Sequence, residues 1–422
     1  MNYPETIQYL YDCVPMFQRI GASAYKAGLE NTLTLDEHFC HPHTRYRTIH
    51  VAGTNGKGSV SHTLAAILQS AGYKVGLYTS PHLMDFRERI RVNGAKVPED
   101  YVVDFVEQER EFFEPLHPSF FELTTALALK YFADEHVDVA VIEVGLGGRL
   151  DCTNIIQPDL SIITNISLEH MQFLGDTLEK IAGEKAGIIK PNTPVVIGET
   201  TPETKPVFLK KAECEKAPIY FAEENEREDF AGIEPELKGN YQKMNTLTVV
   251  TALTVLRDHG YHIEPVSVRQ GFAHVTALTG LMGRWQKLSD NPTIVCDTGH
   301  NVGGIKYVAQ QLKEAPCHQL HIVIGVVNDK DVRGMLSLLP QKAIYYFTRA
   351  SVNRALDEHE LQKIGESLGL HGKCYADVVS ATREAQKSSL PEDFIFVGGS
   401  NFVVADLLSS SNALNLNQSI LG

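Results

Sequence analysis

The sequence predicts an α/β protein of two domains: an N-terminal P-loop NTPase-like domain on a mostly parallel sheet, and a smaller C-terminal Rossmann-like α/β domain. Three observations carry this. A β-branched run beginning at Thr48 feeds a glycine-rich turn and then an apolar pattern of helical period ending near Gln69. Short apolar runs alternate with helical lengths downstream of it, and the same rhythm restarts beyond residue 283. At 422 residues the chain is too long for one typical core. The domains read as 1–276 and 283–422, with Val275 to Gly283, a short Gly/Thr-containing segment, as the linker.

Composition narrows the function. Hydrophobic residues make up 43% of the chain, yet no apolar run approaches the ~20 residues of a membrane span. The first residues, MNYPETIQYLYDCVPMF, lack a basic segment before an apolar core and do not read as a signal peptide. A soluble cytoplasmic protein without membrane partners is expected, and a monomer. Seven cysteines without C-x-x-C spacing argue for reduced thiols, against a disulfide framework and a structural zinc. A net charge of −14 disfavours nucleic acid. Anionic substrates must therefore be held by local cations.

The glycine-rich turn reads Gly53, Thr54, Asn55, Gly56, Lys57, Gly58, Ser59. Val60, Leu64, Ile67, Leu68 and Ala71 share one face of the helix that follows, so that helix packs on the sheet and aims its N-terminus at a ligand. Free N–H groups there suit phosphate. Lys57 supplies charge to the β/γ-phosphates and the Ser59 hydroxyl can ligate Mg²⁺. The spacing is a shorter, more glycine-rich variant of the general nucleotide-binding loop; a tight turn in an ordinary βα unit is the plainer reading.

In chain order, Thr6 to Gln18 and Gly28 to Phe39 read as helices, and Lys74 to Tyr78 as a strand that ends in Ser80-Pro81-His82. On a strand from Phe86 to Gly94, Arg87, Arg89 and Arg91 would line one face. They fit a solvated edge strand or a cationic rim for an acidic substrate. Val137 to Val144 suits the middle of a parallel sheet. It leaves Glu143 at its end, where the carboxylate can either ligate a metal or cap a turn. Leu160 to Thr164 is a strand followed by His170, and Thr177 to Ile189 a helix carrying Lys185. Pro202 to Phe230 is acidic and reads as peripheral, and Leu237 to Leu256 holds a helix with Asn245 near its start. In the second domain the short strands end in DTGHN, GVVNDKD, TRA, AD and GGSNF. Ligands sit at the carboxyl ends of strands in open α/β sheets, and two such edges facing across a linker would form a cleft lined by Arg284, Asp297, His300 and Lys330.

Taken together, Gly53 to Ser59, SPHL, EVGLGGRLDCTN, NISLEH, LGDTLEKIAGEKAGII, KGNYQKMN, GRWQ and DTGHN resemble folylpolyglutamate synthase/dihydrofolate synthase, a branch of the Mur ligase superfamily. The likeness runs through nearly the whole chain in order. Departures are Glu169 for a usual Asp, Tyr241 where His is frequent, Cys152 where Ala is common, and Gly299 and Val302 within D-x-A-H-N-P. The resemblance implies an ATP-dependent ligase that adds L-glutamate to dihydropteroate and to reduced folates through an acyl phosphate. It places Lys57 on the phosphates, Ser59 and Glu143 on one Mg²⁺ and His170 on a second, with Mn²⁺ as a substitute, and a carbamate on Lys185. It also implies ATP contacts from the loop and from Asn245, Arg284 and Asp297, with His300 beside them. Acceptor contacts would come from Gly28, Leu29, Glu30, Asn31, from Ser80, Pro81, His82, from Ser119, Phe120, Phe121, Glu122, and from Leu150, Asp151, Cys152. A cell-wall Mur ligase would share the chemistry but usually carries a separate domain ahead of its phosphate loop. A nucleotide-gated binding protein would not need Glu143, His170 and Lys185 together.

Overall fold

In a computed structural model that describes residues 1–13, 28–224 and 232–416, the strand expected before the phosphate loop is β1 (Arg47–Ala52). Its sheet also contains β2 (Val75–Tyr78), β3 (Ile90–Val92), β4 (Ala95–Lys96), β5 (Val139–Glu143), β6 (Leu160–Ile163), β7 (Val195–Ile197) and β8 (Ile219–Phe221), in the order β4-β3-β2-β5-β1-β6-β7-β8. Only β3 and β4 run antiparallel to their neighbours. The other pairings are parallel, as their continuous apolar sequences require. Register places Val51 opposite Glu143 and Ala52 opposite Ile163, so the phosphate loop, Glu143 and the segment after β6 leave the same carboxyl edge.

The second sheet contains β9 (Gln286–Asp290), β10 (Thr293–Asp297), β11 (Leu320–Ile324), β12 (Ile344–Thr348), β13 (Gly372–Tyr375) and β14 (Phe394–Gly398), in the order β13-β12-β11-β14-β10-β9. All but β9 are parallel. Contacts divide the chain into two units: Met1–Glu236 with Gln242–Thr279, and Leu237–Tyr241 with Gly280–Gly422. Each has its own apolar core. Val275–Thr279, within the stretch read as a linker, is a short helix of the first unit.

Most expected elements form, with ends shifted by a residue or a few. The first helix is Tyr3–Cys13; the remainder of its expected span lies outside the described residues. Glu30–His38, Leu178–Ala186 and Gln242–Asp258 supply the other expected helices.

The strand expected over Phe86 to Gly94 forms only over Ile90–Val92 (β3), and its first half is a correction. Phe86–Arg89 is a 3₁₀ turn, because Asp85 accepts from the Arg87 backbone N–H while Glu88 accepts from that of Asp85, a reciprocal cap that outcompetes the strand. The three arginines therefore do not share a solvated face. Arg87 pairs with Asp85 and Glu99, whereas Arg89 and Arg91 are only 3% and 5% exposed.

Among the described residues no helix is long and apolar enough to cross a membrane. The six described cysteine side chains are all free thiols.

Candidate active site

The phosphate loop is held in shape by both ends of its own unit. Gly53 (φ +143°) and Gly56 (φ +86°) take conformations that side chains rarely adopt, and a Cβ on either would lie 1.9 Å from Thr164 Oγ1 or 2.3 Å from Asn245 Oδ1. The segment after β6 clamps the loop: Asn165 O accepts from Thr54 N at 2.9 Å, Asn165 Oδ1 accepts from Asn55 N at 3.0 Å, and Thr164 Oγ1 donates to Asn55 O at 2.6 Å. Ser167 bonds both Thr54 and Asn55. Gly56, at the N-cap of the helix Lys57–Ser70, has no side chain with which to cap it, which leaves its first turn suited to an anion.

Two ammonium groups meet on one carbonyl. Lys57 Nζ donates to Gly53 O at 3.0 Å and Thr54 O at 3.1 Å, and Lys185 Nζ, brought in from the helix Leu178–Ala186, donates to Gly53 O at 2.9 Å. Lys185 is 4% exposed. Burial first, and then the Lys57 charge, push its pKa down to about 7, against the pull of Glu169 and Asp151. The group sits between ammonium and amine at neutral pH.

Ser59, almost fully buried, accepts from Gln242 Nε2 at 3.1 Å, and Asn245 Nδ2 donates to Gln242 Oε1 at 2.8 Å. Gln242 escaped the sequence reading, although its i, i+3 spacing to Asn245 on one helix is a usable signal. Glu143 is buried at the end of β5, and its charge acts on Arg89. His170, in a left-handed conformation, starts the turn Met171–Leu174 with its Nε2 3.9 Å from Glu169 Oε1.

The acceptor segments expected at 28–31, 119–122 and 150–152 converge in space. The helices that carry Glu30 and Phe120 pack on each other and on the Cys152–Ile155 turn. Phe121 stacks on Tyr78 with ring centres 5.8 Å apart. Three predicted polar groups are committed locally. Ser119 and Glu122 cap each other's backbone N–H, and the Asp151 carboxylate holds its own turn through Leu146 N and Thr153.

At the other side of this cluster Arg89 Nε donates to His82 Nδ1 at 2.8 Å, and its guanidinium lies 5.3 Å from the Phe120 ring centre. A guanidinium can only donate, so His82 carries its proton on Nε2, which faces Tyr11 Oη at 3.3 Å. Burial and the Arg89 charge hold His82 well below its ordinary pKa, so it is neutral at pH 7.

In the second unit Asp297 ends β10 and is 3% exposed. It accepts from Tyr241 Oη at 2.6 Å, Trp285 N at 2.8 Å and Gly299 N at 2.8 Å. Arg284 bonds Thr298 Oγ1, and its charge steadies the Asp297 carboxylate, which burial pushes the other way. His300 Nδ1 is 2.9 Å from Thr298 O. Replacing Tyr241 by Phe should cost about 1–3 kcal/mol of stability, since a buried carboxylate loses a donor; a melting midpoint equal to that of the parent would show that Asp297 does not depend on it.

Residues 51–254 match the Mur ligase middle domain and residues 283–401 the Mur ligase glutamate ligase domain. The chain belongs to the Mur ligase family. Curated relatives place it in the folylpolyglutamate synthase/dihydrofolate synthase branch. It is 33% identical to the Bacillus subtilis dihydrofolate synthase/folylpolyglutamate synthase, covering 90% of this chain and 94% of that protein. It is 34% identical to a probable bifunctional folylpolyglutamate synthase/dihydropteroate synthase of Haloferax volcanii, matching 96% of this chain but spanning only 50% of that longer protein. Among solved structures, E. coli FolC in complex with DHPP and ADP superposes with a TM-score of 0.86 at 29% identity over 98% of this chain and 99% of that one. A bifunctional folylpolyglutamate synthase/dihydrofolate synthase structure holding Mn, AMPPNP and L-glutamate superposes with a TM-score of 0.84 at 29% identity, over 99% and 98%.

This Mur ligase is an ATP-dependent enzyme that forms C–N bonds.

Proposed function

We propose that this ligase joins L-glutamate to the free carboxylate of a pterin-bearing acceptor, making dihydrofolate from dihydropteroate and polyglutamates from reduced folates. The convergence of Lys57 and Lys185 on the Gly53 carbonyl, at an uncapped helix N-terminus, carries this reading. A carboxylate is a poor electrophile. Transfer of the γ-phosphoryl of ATP to the acceptor carboxylate gives an acyl phosphate and ADP; the glutamate amine then attacks the carbonyl, and phosphate leaves. Positioning and charge neutralisation supply most of the catalysis in such a transfer. Lys57 and the loop amides bind the phosphates, Asn245, Arg284, Asp297 and His300 contact the nucleotide, and the aromatic cluster orients the acceptor.

The donor set fits Mg²⁺, for which Mn²⁺ can substitute. Ser59 and Glu143 are hard oxygen ligands at one sheet edge, and among the described residues no three His, Cys, Asp or Glu side chains converge. That suits a cation whose shell is completed by phosphate and water. When bound, the cation neutralises phosphate charge. His170 would hold a second one, and a carbamate on Lys185 would turn a cation into an anion beside them.

Glu143→Ala should raise the Mg²⁺ concentration needed for half-maximal turnover by about tenfold or more, because little protein ligation is left. A titration that overlays the parent's would make Glu143 structural. The reaction itself is tested with purified protein, ATP, L-glutamate and either dihydropteroate or tetrahydrofolate. Phosphate release and a glutamyl mass increment on both acceptors are expected; no product with either would overturn the proposal, and product with tetrahydrofolate alone would restrict it to polyglutamate synthesis.

A further inference from the structure

The hydroxyl on which the cation reading depends is oriented by a residue far away in sequence. Ser59 is the third residue of the helix Lys57–Ser70 and Gln242 the first of the helix Gln242–Asp258, 183 positions on, and the two helices pack on each other. Gln242 Nε2 donates to Ser59 Oγ at 3.1 Å, and among the described residues this is the one hydrogen bond the hydroxyl makes. Its direction is set one turn further along, where Asn245 Nδ2 donates to Gln242 Oε1 at 2.8 Å. With its oxygen engaged by Asn245, the Gln242 amide turns its N–H side to Ser59. Ser59, Gln242 and Asn245 are 1%, 5% and 7% exposed, so little water competes for these groups. Asn245 is in turn registered on the phosphate loop, since its Oδ1 lies 2.3 Å from where a Cβ on Gly56 would fall.

We propose that Gln242 is a positioning residue of the cation site, donating to the Ser59 hydroxyl so that one lone pair and the proton of that hydroxyl stay free for cation and phosphate. This rests on the reading of Ser59 as a ligand of the nucleotide's divalent cation and adds to it the group that holds the ligand in place. A serine hydroxyl has one donor and two acceptor positions and rotates to suit its partners. Gln242 occupies one acceptor position. The second is left for the cation and the O–H for a phosphate oxygen, so each of the three is used once when Mg²⁺ and nucleotide are present. An amide facing the other way would draw the proton toward Gln242 and away from the phosphate. Groups that orient a metal ligand from behind are worth about 10–100-fold in metal affinity. Gln242 exerts that effect through Ser59.

Gln242→Met keeps the length of the side chain and removes the donor. The measurement is ADP binding to the purified protein by calorimetry, in EDTA and across a Mg²⁺ titration, so turnover plays no part in it. In EDTA the Kd for ADP should stay within about twofold of the parent's, while the Mg²⁺ concentration that gives half of the cation-dependent tightening should rise about tenfold. Gln242→Asn, whose amide is drawn back by one methylene, should give the same loss, and it is the variant to read if a thermal melt shows the methionine protein to be unfolded. Ser59→Ala should itself raise that Mg²⁺ concentration. Adding Gln242→Met to it should change the value by less than about twofold, because a residue that acts through Ser59 then has nothing left to orient. A folded Gln242 variant whose titration overlays the parent's overturns the proposal. So does an equal weakening of ADP in EDTA and in Mg²⁺, which would make Gln242 a structural support of the loop, and so does an additive double variant. A parent whose ADP affinity does not respond to Mg²⁺, or a Ser59→Ala protein that responds as the parent does, overturns the reading of Ser59 as a ligand and the positioning role with it. The parent and Ser59→Ala titrations therefore tell the two failures apart.

Discussion

Lys57→Ala should abolish ATP-dependent amide formation, lowering turnover by about 10³-fold or more, while the protein stays folded. The size follows from the chemistry: a charge placed against a transferring phosphoryl group in a dehydrated site is worth several kcal/mol. Retention of the fold follows from the structure, since among the described residues the Lys57 ammonium bonds carbonyls of its own loop and lies outside the apolar cores. The check is phosphate release measured beside a thermal melt. Unchanged turnover would remove the phosphate-loop assignment; lost turnover with a collapsed melt would call for Lys57→Met, which keeps the aliphatic stem. The variant carries a second expectation. Lys57 is one of the charges that depress the Lys185 pKa, so its removal shifts Lys185 back toward the ordinary value of a lysine.

Lys185→Ala should be as inactive as Lys57→Ala, and short carboxylic acids such as acetate should partly restore it. Carbamylation joins the neutral amine to CO₂, giving a carbamate and releasing a proton. With a pKa of about 7, about half of the Lys185 side chains present that amine at neutral pH, against roughly one in three thousand for a lysine at its ordinary value. The sign follows: the amine, and with it the adduct, increases as pH rises through 7 and is lost below it. Intact-protein mass under gentle conditions should show a CO₂ adduct that grows over this range, and acetate or formate should fill the vacated space in the alanine variant. Lys185→Arg keeps a cation and cannot be carbamylated, so it should be inactive and not rescued. Full activity of the arginine variant would show that positive charge alone is needed there.

What the sequence by itself determined is what short-range chemistry encodes. Glycine spacing, β-branched runs and helical period located the phosphate loop, the carboxyl-edge position of Glu143 and the two α/β units, because each depends on neighbours within a few residues. The order of specific motifs placed the chain in its family. The arginine stretch was misread for a related reason: alternation suggested a strand, but the Asp85 and Glu88 side chains cap a 3₁₀ turn, and a capping box competes with strand pairing on equal local terms.

Only the tertiary structure decided the rest. Gly53 and Lys185 are 132 positions apart, so the convergence of two lysines, and the depressed basicity it causes, has no local signature. Gln242 on Ser59 and Tyr241 on Asp297 are likewise set by which distant segments the fold brings together. Burial decides whether a charged or polar side chain is a solvated ornament or a reagent, and burial is a property of the packed whole: the same lysine on an exposed face of its helix would keep its ordinary basicity, whereas Lys185, 4% exposed, is pushed down to about 7.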